Sequence, residues 1–220
     1  MICGIDPRSR ADEFRWRPFV VAALIGLAAA GWIVQALPGA GFDRDPKIRA
    51  YRAKADAFVN EAVPRRNFGR ARQLLVDASP TVRTYVRFDV DLTSGDVSHV
   101  SLLLYSRSRS RPGYRVQLVS EPCKERAINF VNAPELTPPS VGSGPLRARS
   151  WKAVEVTSLA VGEHGVSFAL ATDSPNGAVF ASRETGFHGP RLVVVVETPN
   201  DTTRSTTTGT GASPVPPPPP

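Results

Sequence analysis

Six stretches of this chain place apolar residues at every second position, and that alternation limits the possible fold more than any other feature. Val86, Phe88 and Val90 alternate with Tyr85, Arg87 and Asp89, and Val100, Leu102 and Leu104 with His99, Ser101 and Leu103. Val116 and Leu118 are interleaved with Arg115, Gln117 and Val119, and Val154 and Val156 flank Glu155. Val166, Phe168 and Leu170 form a fifth set, and Leu192, Val194 and Val196 close the series. Successive side chains of a strand point to opposite faces, so each set predicts a half-buried strand. Between them, Thr93-Ser94-Gly95-Asp96, Pro112-Gly113 and Ser174-Pro175-Asn176-Gly177 supply turn chemistry. No long amphipathic helical pattern follows residue 73. Short strands at this spacing predict an all-β fold, a jelly-roll-like β-sandwich.

The chain has 220 residues and 41% apolar side chains, enough for one domain with a substantial core. Ahead of that domain, residues 19–37 form a 19-residue run with Gln35 as its polar interruption. As a helix it would be about 28 Å long, close to the hydrocarbon thickness of a bilayer. Trp16 and Trp32 stand near its ends, and Arg8, Arg10, Arg15 and Arg17 make residues 1–18 a basic flank that stays in the cytoplasm. The run reads as a transmembrane signal anchor or as a signal peptide cut after Ala36. Either reading exports residues 38–220, as a single-pass membrane protein or a secreted one. Residues 38–53 read as a stalk, 54–197 as the sandwich, and 198–220 as a Thr/Pro-rich tail or linker with little to bury. The two cysteines, Cys3 and Cys123, lie on opposite sides of the apolar run, so no intrachain disulfide is expected.

Few motifs carry catalytic chemistry. His99, His164 and His188 lack metal-ligand spacing and read as surface or loop histidines. No nucleophile elbow and no phosphate-binding glycine loop is present. Asp89, Asp91 and Asp96 resemble a calcium loop superficially but lack its density of acidic ligands, so no cofactor is expected, with calcium the weak alternative. The positive charge is concentrated instead. Arg65, Arg66, Arg70, Arg72, Arg83 and Arg87 face one acid, Asp77, over the same span, and Arg107, Arg109, Arg111 and Arg115 form a second basic stretch. The planar arginine fork suits carboxylate or sulfate. Tyr85, Tyr105, Tyr114 and Trp151 are candidates for a sugar-stacking platform; Tyr114, beside a Pro-Gly turn, is expected to be the most exposed, and Trp151 to be core or rim.

One further pattern runs through the chain. Ala55-Asp56-Ala57-Phe58-Val59, Asn67-Phe68-Gly69, Leu75-Val76-Asp77 and the segment from Thr84 to Val90 occur in order. Asn132-Ala133-Pro134, the segment from Trp151 to Leu159, Phe180-Ala181-Ser182-Arg183-Glu184 and Pro190 to Val196 follow. Together, over roughly residues 54–197, they resemble the DNRLRE domain, also classed as carbohydrate-binding module family 96. The resemblance implies a β-sandwich that binds without cleaving. It also implies acidic glycans such as alginate as ligands, held by basic residues in the N-terminal part of the domain, where Arg65, Arg66, Arg70 and Arg72 fall. Arg183-Glu184, Asn67-Phe68-Gly69 and Asn132-Ala133-Pro134 are expected to build the fold, with Gly69 supplying an unusual backbone angle. The chain departs from the family over residues 122–130, where members carry tryptophans. The expected ligand is an acidic polysaccharide or cell-wall polymer contacted by Arg65, Arg66, Arg70, Arg72, Arg83, Arg87 and Tyr114. Nucleic acid is not expected, because export and the lack of interleaved aromatics argue against it. The alternatives are a surface spacer or adhesion domain, and the binding module of a truncated enzyme.

Overall fold

The computed structural model describes residues 46–120 and 123–197. These form two antiparallel sheets packed face to face. In chain order the elements are β1 (Lys47–Arg52), β2 (Ala55–Asn60), β3 (Gln73–Ala78), β4 (Thr81–Asp91), β5 (Val97–Ser106), β6 (Arg115–Leu118), β7 (Val141–Gly142) and β8 (Ser150–Glu155). A one-turn helix α1 (Thr157–Ala160), β9 (His164–Ala171), β10 (Ala178–Ala181), a 3-10 helix (Arg183–His188) and β11 (Arg191–Val196) complete the domain. One sheet runs β1-β11-β5, with β8 along the other edge of β5 and β10 meeting β5 at Ser106. The second runs β2-β4-β9-β6-β7. Strand β3 joins the two, pairing with β10 through Gln73 to Val76 and with β4 through Asp77 and Ala78.

The alternating sets point where their period requires. Val86, Phe88, Val90, Val100, Leu102, Leu104, Val116, Val154, Val156, Val166, Phe168, Leu170, Leu192 and Val194 all enter the core between the sheets, and Leu118 and Val196 pack against its rim. Each large side chain removed from water there contributes about 1.5–3 kcal/mol, and that burial is what holds the sheets together.

The outer face of the second sheet is also covered. Residues from Val119 and from 123–136 fold over it, so Ala57, Val59, Tyr85 and Ala169 pack against Val119, Cys123 and Ile128, with Phe130, Ala133 and Leu136 alongside. This is why β2 is buried along nearly its whole length. It also corrects the expected role of Tyr85, which is fully buried and donates its hydroxyl to the Pro134 carbonyl at 2.9 Å. The covering segment is pinned by Asn67, whose Nδ2 donates to the carbonyls of Glu125 (2.8 Å) and Ile128 (2.7 Å). Gly69 is needed for close approach and not for an unusual angle: a Cβ there would stand 1.9 Å from the Glu125 carbonyl oxygen. Cys123 is a buried free thiol, pushed up to about 12 by burial and so chemically inert at neutral pH.

Residues 47–52, expected to belong to a stalk, instead form β1 and pair along β11. The expected membrane segment 19–37 and the tail 198–220 lie outside the described residues. Among the described ones, no helix is long and apolar enough to cross a membrane.

Candidate functional site

At one end of the first sheet, four strand termini converge. Arg107 follows β5, Arg149 precedes β8, Arg72 precedes β3, and Ala181 ends β10. They meet because β5 pairs with β8 at Tyr105↔Trp151 and touches β10 at Ser106, while β10 pairs with β3 at Ala181↔Gln73. The result is an open cleft of about 540 Å³ lined by Arg72, Tyr105, Arg107, Arg149, Ala181, Thr185 and His188. No acidic side chain is in this wall. Among the described residues, Arg72, Arg107 and Arg149 make no salt bridge.

The backbone under these arginines is held firmly. Arg107 N–H donates to the Val179 carbonyl at 2.8 Å, and Ser108 Oγ accepts from Val179 N–H at 2.9 Å. Arg149 adopts φ +56°, a left-handed conformation a non-glycine residue rarely takes. Arg72 is fixed through its carbonyl, which accepts from Ser182 N–H at 3.4 Å, while Ser182 Oγ lies 2.6 Å from the Ala71 carbonyl.

Beside the arginines stands a group of rings. Tyr105 lies on the opposite side of β5 from Leu104 and packs against His188, with centroids 4.0 Å apart and the rings tilted by 33°. Trp151 meets Tyr105 edge-on at 5.5 Å and lies 6.2 Å from His188. The buried Arg191 supports them from β11: its guanidinium lies 5.1 Å from the Trp151 ring centre and 5.0 Å from that of Phe187, and it donates to the Phe187 carbonyl at 2.7 Å. Half-exposed rings of this kind accept the apolar face of a sugar, and arginine forks beside them accept a carboxylate or sulfate.

Of the residues singled out from the sequence, Arg72, Arg107 and Tyr105 line the cleft, and Trp151 packs edge-on against Tyr105. The other arginines of the 65–87 cluster disperse. Arg65 and Arg70 are exposed on the loop between β2 and β3. Arg66 covers Phe68 at 5.0 Å, and Phe68 in turn stacks on Phe58. Arg83 covers Phe130 at 5.6 Å, on the outer face of the second sheet, and Arg87 bonds Asp89 at 3.0 Å. Tyr114 is a correction. It is 2% exposed, its ring packs edge-on to Phe180 at 5.0 Å in the core, and it offers no surface to a sugar. Gly113 at φ +70° turns the chain inward, and Ser143 Oγ accepts from Tyr114 N–H at 2.9 Å, fixing that direction. Arg149 and the ring role of His188 escaped sequence reasoning, since nothing local marks a turn arginine or a loop histidine as part of a site.

The aspartates of β4 are engaged within the protein. Asp89 is engaged by Arg87 and Lys54, and Asp91 by Thr93 and His164. Among the described residues one trio, Asp56, Glu125 and Glu184, brings carboxylate oxygens within 4.8 Å of one another. Arg183 already occupies its centre: it bonds Glu125 through Nε (2.5 Å) and Nη2 (2.9 Å), approaches Glu184 at 3.3 Å, and gives its backbone N–H to Asp56 at 2.7 Å. This is a carboxylate–guanidinium network, and it ties the 3-10 helix to the sandwich.

A two-sheet antiparallel sandwich with an open arginine-lined cleft beside packed rings, and no carboxylate pair in that cleft, has the make-up of a carbohydrate-binding module. The chain belongs to carbohydrate-binding module family 96, whose defining sequence pattern matches residues 47–196. No curated protein matches the chain.

Proposed function

We propose that this module binds an acidic polysaccharide non-covalently, without cleaving it, on the outer side of the membrane or in the secreted state. The observation that carries the reading is the convergence of Arg72, Arg107 and Arg149 on one cleft, with no ion-pair partner among the described residues, beside the Tyr105–His188 pair. A polymer with repeated carboxylates or sulfates presents charges that such forks grip in pairs, while the rings take the apolar face of a neighbouring sugar. The export reading rests on the apolar run at residues 19–37 and the basic flank before it.

Affinity gels containing alginate, pectate, heparin or a neutral glucan, run at low and moderate salt, test this with the full-length protein. Retention by an acidic glycan that survives moderate salt, and its loss in Arg72→Glu with Arg107→Glu, is the expected result. Retention by every polyanion that vanishes with salt is non-specific charge attraction; that result, or no retention at all, defeats the proposal in favour of a spacer domain.

A further inference from the structure

One wall of the cleft has no stability of its own. The 3-10 helix that supplies Thr185 and His188 is six residues long and is interrupted by Gly186 at φ +69°. A helix this short does not persist without tertiary contacts. The contacts that hold it begin at its first residue. Arg183 donates its backbone N–H to Asp56 and its guanidinium fork to Glu125. Glu125 Oε1 also accepts from Asp56 N–H at 3.3 Å, and its carbonyl accepts from Asn67. One residue earlier, the buried Ser182 clamps residues 71 and 72 through its hydroxyl and its N–H. The same joint therefore sets Arg72 on one side and Thr185 and His188 on the other.

We propose that Arg183 is the positioning residue of the cleft: by locking Glu125 and Asp56 it holds His188 against Tyr105 and keeps the ring platform in register with Arg72. It touches no ligand. Without its guanidinium, the carboxylates of Glu125 and Glu184 would face each other beside the buried Asp56 with no cation between them, and like charges at that range repel. The 3-10 helix is the one of the joined parts that can yield, since β2 is buried in the sheet and the covering segment is pinned by Asn67. This inference rests on the cleft being the binding site, and its test separates the two.

The experiment follows the His188 ring protons of the full-length protein by NMR, alongside affinity for alginate oligosaccharide. In the native protein the Tyr105 ring, 4.0 Å away, shifts the His188 signals. Arg183→Met is expected to remove that shift and to weaken alginate binding about tenfold, the size of coupling seen between contacting groups. Signals of core residues such as Phe88 and Phe168 should stay in place. Arg183→Lys, which keeps the charge without the fork, should restore part of both. If Arg183→Met does not fold, Glu125→Gln weakens the same fork and reads the same coupling. A folded Arg183→Met or Glu125→Gln with native His188 shifts and native affinity overturns the proposal. Native protein that ignores alginate, while Arg183→Met still displaces the His188 signals, leaves the positioning role standing and defeats the binding reading instead.

Discussion

Arg149 combines a cation aimed at the cleft with a backbone conformation that costs a non-glycine residue about 1–2 kcal/mol. Strain of this kind persists only where the surroundings impose it, and it collects at sites that must be preorganised. Two substitutions separate its two parts. Arg149→Gly relieves the strain, at an offsetting cost of about 0.4–1 kcal/mol from greater freedom in the unfolded chain. Its thermal midpoint should therefore hold or rise by up to about 5 °C, while affinity for acidic glycan drops about tenfold. Arg149→Ala keeps the strain and loses the cation, so it should bind as weakly as the glycine variant without gaining stability. Calorimetry beside glycan titration checks both; a glycine variant that binds like the native protein would remove Arg149 from the site.

Val119 and residues 123–136 have almost no regular structure, yet they cover Ala57, Val59, Tyr85 and Ala169 on the outer face of the second sheet. Their order depends on a few side-chain bonds to the sheet and to the loop after β2. One of them is the Tyr85 hydroxyl on the Pro134 carbonyl. Tyr85→Phe keeps the ring packing and leaves that carbonyl without its donor, which costs about 1 kcal/mol and lowers the midpoint by about 2–4 °C. The loss should be local. Amide exchange in residues 123–136 should accelerate while β5, β9 and β11 keep their protection. Uniform acceleration across the domain would show that the covering segment and the sandwich open as one unit.

Across the whole molecule, opposing titrations shape stability against pH. Glu61, Asp91 and Asp173 are held below their ordinary range, chiefly by hydrogen bonds from Thr81, Thr93 and Arg115 respectively. Their contribution is present above the usual carboxylate range and is lost as pH falls through it. Asp56 runs the other way. Burial raises it from 3.8 to about 7, against the opposing bond from Arg183 N–H. The folded protein therefore keeps a proton that the unfolded chain has released, and stability falls as pH rises from about 4 to about 7, by on the order of 3–4 kcal/mol from this group. Denaturation at a series of pH values should show a maximum in the mildly acidic range. Asp56→Asn retains an acceptor for Arg183 N–H and should flatten the decline toward neutrality; an unchanged slope would mean that Asp56 is ionised in the fold.

What the sequence determined by itself is the sandwich. Strands β4, β5, β9 and β11 carry their inward sets at every second position, so the faces that enter the core follow from local order alone. The same local order could not tell that Tyr85 and Tyr114 are buried, because what covers them comes from elsewhere: Val119 with residues 123–136 over one, and Phe180 with the Ser143 bond over the other. The arginine excess between residues 65 and 87 was legible as charge, but charge in sequence does not state direction. Arg66 and Arg83 lie over aromatic rings, Arg87 pairs with Asp89, and Arg72 alone of the six reaches the cleft. The cleft itself belongs to the tertiary structure. Arg72, Tyr105, Arg107, Arg149 and His188 are scattered along most of the domain, and they meet because β10 pairs with both β3 and β5 while β8 pairs with the far edge of β5. Hydrogen bonding between strands distant in the chain, which no local pattern encodes, is what brings those side chains to one place.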